Sequence, residues 1–247
     1  MRRFFKLLKI EGCLVLRSLD SIFFGVCMPV GIIALLGIIC GSKPAFVGAN
    51  YTLLESSFGA LITVGICATA FMGIPLTIAD YRDKKILKHF FVTPVSPAVL
   101  ILVQGAINVI LSLVSAVLVY LTVKLFFGYE MRGSKIGFTL SYFLVIASMY
   151  SIGMLMASVC KNIKTANVVC SIVYFPMLFL SGATIPYEVF PKALQQVANL
   201  LPLTQGIKLL KGYSLGLPQE NLLLPIVIML VWSAVGISIS IKTFIWE

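Results

Sequence analysis

Uncharged apolar runs alternate with short charged segments along the whole chain, and that alternation predicts the elements. Six runs, at 22–41, 57–78, 98–123, 138–160, 165–185 and 222–241, hold no Asp, Glu, Lys, Arg or His. Each is about the length of ~20 residues needed to cross a hydrocarbon core of about 30 Å. The pattern predicts an all-α integral membrane protein of six transmembrane helices, folded as a single domain over 1–247. The first run is too long for the apolar core of a signal peptide, and Ile38-Ile39-Cys40 lacks the small residue of a lipoprotein cleavage site.

Two charged segments have helical periodicity of their own. In residues 1–21, Arg2, Lys6, Lys9 and Arg17 share one face and Phe4, Leu7, Leu8, Leu14, Val15 and Leu19 the opposite one, which predicts a helix lying on the membrane. Glu11 falls inside the apolar face. Either it snorkels to the headgroups or it pairs with a basic residue of the 80–97 segment. In that second segment Ile86, Leu87, Phe90 and Phe91 fall opposite Lys84, Lys85 and Lys88, the pattern of a short amphipathic helix. Thr93-Pro94 ends it, and Ser96-Pro97 supplies an N-cap and a first helical residue for the next run.

The 80–97 segment resembles the coupling loop of type-2 ABC exporter permeases, whose pattern is Arg-acid-x-Gly-Thr-x-Glu, two or three apolar residues, then Thr-Pro-x-Ser. Arg82, Asp83, Leu87, Thr93, Pro94 and Ser96 match it, whereas Lys85, Ile86 and Lys88 stand where it has Gly, Thr and Glu. Downstream, Ser181-Gly182-Ala183, Pro186, Pro191 and Leu200-Leu201-Pro202-Leu203-Thr204 resemble the extracytoplasmic hairpin of the same family. The resemblance implies a non-catalytic permease that works with a second permease, identical or related, and with two cytoplasmic ABC ATPases. These ATPases would bind ATP and Mg, leaving this chain without a cofactor, and would act through Arg82, Asp83, Ile86, Leu87, Phe90, Phe91, Thr93, Pro94 and Ser96.

Composition narrows the class. The chain is 60% hydrophobic and 11% charged, against roughly 45 to 50% apolar residues in soluble domains. Its net charge of +10 is scattered between apolar runs and forms no stripe, which points to anionic lipid headgroups as partners and away from nucleic acid. With the N-terminus inside, Lys and Arg number 12 in the cytoplasmic segments and 7 in the outer ones. That bias puts both termini and the 80–97 segment in the cytoplasm of a cell bounded by this membrane. The six cysteines form no Cys-x-x-Cys and no zinc spacing, and read as small buried hydrophobes.

Candidate chemistry inside the membrane is uncharged. Gln104, Asn108, Ser112 and Ser115 recur on one face of the third run, with Thr122 beyond them, and Asn167, Ser171 and Tyr174 make a weaker stripe on the fifth. These residues are either hydrogen-bonding glue between helices or the lining of a translocation path. Residues 186–220 are too proline-punctuated for one helix and too apolar for an exposed loop. They predict two short helices broken at Pro191 and Pro202 that dip into the outer leaflet, as a cap or as a gate.

Other chemistry is missing. Gly128 and Gly133-Ser134-Lys135 have the glycine spacing of a P-loop, but Ser and Lys are reversed and no strand precedes them. The lone His89 makes no metal pair, and the charge-free interior disfavours an ion-coupled transporter. The expected function is an ATP-driven exporter of an apolar or amphipathic molecule, such as a drug, peptide or lipid. The alternatives are a secondary transporter and a non-transporting anchor or sensor that recruits an ATPase.

Overall fold

A computed structural model describes residues 2–17, 22–40, 43–45, 51–87, 97–184, 187, 190–218 and 221–243. His89, Lys88, Phe90, Phe91, Thr93, Pro94, Ser96 and Pro186 lie outside the described residues. Within them are nine helices: α1 (Arg2–Arg17), α2 (Phe23–Cys40), α3 (Leu53–Asp83), α4 (Pro97–Phe127), α5 (Lys135–Val159), α6 (Ile163–Leu180), α7 (Lys192–Asn199), α8 (Pro202–Leu215) and α9 (Leu223–Thr243). Six of them, α2 to α6 and α9, are the membrane spans.

The starts and stops follow local chemistry. Thr52 and Glu55 close a capping box at the head of α3, with Glu55 N–H donating to Thr52 Oγ1 at 3.2 Å and Thr52 N–H to Glu55 Oε2 at 2.8 Å. Ser134 caps α5 and Asn162 caps α6 through Gly137 and Thr165 N–H. Pro97 and Pro202 stand first in α4 and α8, and Pro191 immediately precedes α7. Gly216, at φ 68°, ends α8 in the left-handed conformation that a side chain resists.

The longest departure from the periodicity is at α3. It runs on through Asp80–Asp83, the stretch that its charges assign to a separate amphipathic helix. The extra turn is held because Tyr81 and Arg82 find partners inside the protein. Only after Asp83 does the helix break, at a turn through Lys84 and Lys85 in which Lys85 has φ 57°.

α3 is the axis of the bundle. Of its most apolar window 83% is buried, against 22 to 39% for α2, α4, α6 and α9, whose outer faces point away from the bundle. α2, α4, α5 and α8 pack around α3, and α9 lies against α5. At the end we call the head, Phe58 of α3 stacks on Phe138 with centroids 5.8 Å apart and meets Tyr129 at 4.7 Å. α8 is sunk into the same end, with Leu203, Leu209 and Leu210 fully buried. At the opposite end, the base, lie α1, the last turn of α3, the first turns of α4 and the α5–α6 connection.

Two turns are π-helical, Phe23–Cys27 in α2 and Thr69–Gly73 in α3. They adjoin one another, since a side chain at Gly25 would press on Thr69. Small residues permit the approach here and elsewhere, Gly153 of α5 lying directly on the backbone carbonyl of Ala70. A backbone carbonyl cannot swing aside as a side chain can. Gly153→Ala is therefore expected to lower stability by about 1 to 3 kcal/mol through overpacking, whereas Gly105→Ala, which meets no atom within 4 Å, should leave it unchanged or slightly raised. Thermal unfolding midpoints of the purified proteins check the pair.

Candidate functional site

The uncharged stripe on α4 faces inward: Gln104, Asn108, Ser112 and Ser115 are all nearly inaccessible. The side-chain donors of Asn108 and Ser112 bond back within α4, while Gln104 Oε1 and Ser115 Oγ find no partner among the described residues. Asn108 donates from Nδ2 to the Gln104 carbonyl at 2.9 Å, and Ser112 to the Val109 carbonyl at 2.9 Å. The carbonyls of Asn108 and Ser112 in turn accept from Tyr150 and Tyr142 of α5, at 2.7 and 2.8 Å. Ser115 sits against Gly65.

One member of the stripe also opens onto space. A cavity of about 270 Å³ lies between α2, α3, α4 and α6, and Asn108, Asn167 and Tyr174 line it together. Gln104, Ser112, Ser115 and Ser171 are not among its lining residues. Both π turns contribute to the wall, through Phe24 and Gly25 of α2 and Thr69, Met72 and Gly73 of α3. Such turns displace the helix register and recur at functional sites.

The chemistry of the cavity is apolar with a few hydrogen-bonding points. No acidic or basic residue lines it. Thr69 Oγ1 lies 2.8 Å from the Tyr150 hydroxyl and is already engaged with the Gly65 and Ile66 carbonyls, each at 3.0 Å. Tyr174 differs. Its hydroxyl is buried and makes no hydrogen bond among the described residues. Leaving a buried donor unused costs about 1 to 3 kcal/mol, a cost that a bound molecule with an acceptor would remove. The volume is close to the lower end of small-molecule pockets, ~300 Å³.

A second constellation occupies the base. Glu11 is 6% exposed and faces the bundle. Neither expected role for it holds: it does not reach the headgroups, and its partners are not basic. The Tyr81 hydroxyl and Gln104 Nε2, the latter at 2.7 Å, both donate to Glu11 Oε2. Two neutral donors on α3 and α4 satisfy the carboxylate where α1 crosses them. Gln104, placed by periodicity with the path residues, is thus a clamp for α1.

Beside this cluster, Arg82 Nη1 donates to the carbonyls of Ala157 and Cys160, the latter at 2.6 Å, and is 7% exposed. Asp83 Oδ2 accepts from the Ile163 N–H at 2.9 Å. Burial pushes the Cys160 thiol above its ordinary pKa while the neighbouring Arg82 draws it down, so it stays protonated and unreactive near neutrality. Of the apolar residues expected to face an ATPase, Ile86 is half-buried and Leu87 is 1% exposed, anchoring the segment to its own chain.

At the head, Gly182 takes φ 88° just past α6. Pro191 and Pro202 bracket α7, and Asn199 Oδ1 accepts from Tyr187 at 3.0 Å and from Lys208. Lys208 also rests over the Tyr187 ring, 4.0 Å from its centroid. Residue patterns alone miss Tyr81, Tyr150 and the π turns. Glu11 on an apolar face was the one signal that a buried donor had to exist nearby.

Comparison with known proteins agrees with this architecture. A family model described as ABC-2 type transporter matches residues 2–215. Over 90 residues the chain is 34% identical to nodulation protein J of Rhizobium leguminosarum bv. viciae, covering 36% of this chain and 35% of that protein. Over 164 residues it is 24% identical to the inner membrane transport permease YhhJ of Escherichia coli (strain K12), covering 65% of this chain and 44% of that protein. The matches span less than half the length of either relative. With six spans and a family match that runs from α1 to the end of α8, the chain belongs to the ABC-2 type transporter family.

Proposed function

We propose that this chain is the permease subunit of an ATP-driven exporter that moves an apolar or amphipathic molecule outward across the cell membrane. ATP and Mg are bound and turned over by a separate cytoplasmic ABC ATPase, in two copies, and a second permease, identical or related, completes the complex. The observation that carries the reading is the uncharged cavity, where Asn108, Asn167 and Tyr174 offer hydrogen bonds within an apolar wall. Such a lining suits a drug-, peptide- or lipid-like cargo and has no group to bind or release a coupling proton. A relative named as an inner membrane transport permease supports the same placement in a cell membrane.

In this reading the base faces the cytoplasm, a placement that the excess of Lys and Arg there supports. Both termini lie on that side, α1 rests against anionic headgroups, and residues 84–97 meet the ATPase through Ile86, Phe90, Phe91, Thr93, Pro94 and Ser96. α7 and α8 form the extracytoplasmic hairpin, re-entering from the outer face.

Three outcomes are expected. In a background without the native cysteines, a cysteine replacing Lys84 should be shielded from an impermeant thiol reagent in intact cells, and one replacing Lys192 accessible; the reverse pattern would invert the orientation. Phe90→Ala with Phe91→Ala should leave insertion intact and reduce ATPase co-purification by roughly 30-fold for ~2 kcal/mol at an interface anchor. Lys84→Ala with Lys85→Ala should act more weakly and in a salt-sensitive way.

The decisive experiment is flux of an amphipathic dye into proteoliposomes holding the permease and its ATPase. Transport should need ATP and survive a protonophore; collapse with the proton gradient while ATP persists would point to secondary transport. Asn108→Leu should alter flux or cargo range while the complex still assembles. Tyr174→Phe should lower flux of a hydrogen-bonding cargo by about fivefold, the equivalent of one neutral hydrogen bond near 1 kcal/mol, without lowering thermal stability. Lost stability with unchanged flux would make both residues packing elements.

A further inference from the structure

We propose that Asp83, with Arg82 beside it, is a positioning latch that carries movement of the 84–97 segment to the wall of the cavity. The inference rests on the reading above, that this segment meets the ATPase. Both side chains leave the last turn of α3 and grip the α5–α6 connection from its two sides. Arg82 holds the end of α5 through the carbonyls of Ala157 and Cys160. Asp83 holds the start of α6 through the N–H of Ile163, at 2.9 Å. Each charge meets the helix end whose dipole it complements, the cation at carbonyls and the carboxylate at free N–H groups.

The grip leaves little slack. Only Lys161 and Asn162 separate Cys160 from Ile163, and Asn162 Oδ1 caps the Thr165 N–H of the same turn at 2.8 Å. The first turn of α6 is therefore held jointly by its own cap and by α3. Asn167 lies four residues on from Ile163, about one helical turn, and it opens the stretch of α6 that lines the cavity with Tyr174, Phe175 and Leu178. On the other side of the latch the helix breaks at once. Lys84 and Lys85 form a turn, with Lys85 at φ 57°, so a pull on the 84–97 segment acts on the residue next to Asp83. Force passes from the segment to Asp83, then to Ile163 and Asn167.

The test uses the full permease co-purified with its ATPase, in a background with the six native cysteines replaced. Asn167→Cys reports on the cavity wall through its rate of labelling by a small thiol reagent, with and without a non-hydrolysable ATP analogue. The analogue should change that rate when Asp83 is present and leave it unchanged in Asp83→Ala. With Asn167 restored, transport per ATP hydrolysed should fall by about tenfold or more in Asp83→Ala, the loss expected for one charge-assisted hydrogen bond. Asp83→Asn keeps an acceptor for the Ile163 N–H and should recover both readouts.

Asp83 is exposed, so its truncation leaves no void. An unchanged unfolding midpoint and unchanged ATPase recovery in Asp83→Ala separate a latch from a structural prop. Nucleotide-dependent labelling and full coupling in Asp83→Ala would overturn the latch. The thiol rate reads the latch and the flux reads the exporter assignment, so a complex that labels as expected but moves no cargo would count against the exporter alone.

Discussion

A polar group inside a hydrocarbon solvent has no water to return to, and the whole bundle is arranged around that fact. Its hydroxyls turn back onto their own helices: Ser112, Ser148 and Ser151 each donate to a carbonyl three residues earlier. Its charges are confined to the two ends. At the base they are satisfied by atoms of other helices, Glu11 by Tyr81 and Gln104, Arg82 by the end of α5, Asp83 by the start of α6. The interior is left free to pack through small residues, and Tyr174 is among the few buried side chains of the described residues whose hydroxyl finds no partner.

The two π turns follow from the same accounting of backbone groups. A wider turn shifts the hydrogen-bond ladder and loosens the carbonyls at its start. Thr69 opens the π turn of α3, and its hydroxyl turns back to the Gly65 and Ile66 carbonyls, which its own backbone N–H also meets. The Tyr150 hydroxyl, which donates to the Asn108 carbonyl, lies 2.8 Å from Thr69 Oγ1, so that α3, α4 and α5 meet at one point beside the cavity. The cavity is thus bounded by a rigid wall on α3 and α4. On its α6 side, by contrast, Pro176 removes the N–H that would have served the Ile172 carbonyl.

The spans were legible in the sequence because bilayer thickness fixes their length and forbids charge, two properties that a single chain displays openly. The breaks at Pro191 and Pro202 were legible for a similarly local reason. α3 was underestimated by a turn at its base, because what stabilises Asp80–Asp83 sits some 75 to 80 residues away in Ala157, Cys160 and Ile163. Glu11 announced that it needed a donor, but a neutral tyrosine and a glutamine on two different helices carry no mark of that role. The α4 stripe was visible as a face. Which of its members were already spent was decided by neighbours, and this is why Gln104 serves α1 while Asn108 reaches the cavity.

Lys85 shows how a departure from a family pattern can be read physically. The coupling-loop pattern that residues 82–96 resemble has glycine at this position, and the chain here adopts φ 57°, a conformation that glycine enters freely and a residue with a Cβ enters at about 1 to 2 kcal/mol. The turn forms nonetheless because it is fixed on both sides, by Arg82 and Asp83 before it and by the buried Leu87 after it. Shape is therefore imposed by the anchors, and the residue type sets only how much strain the turn holds.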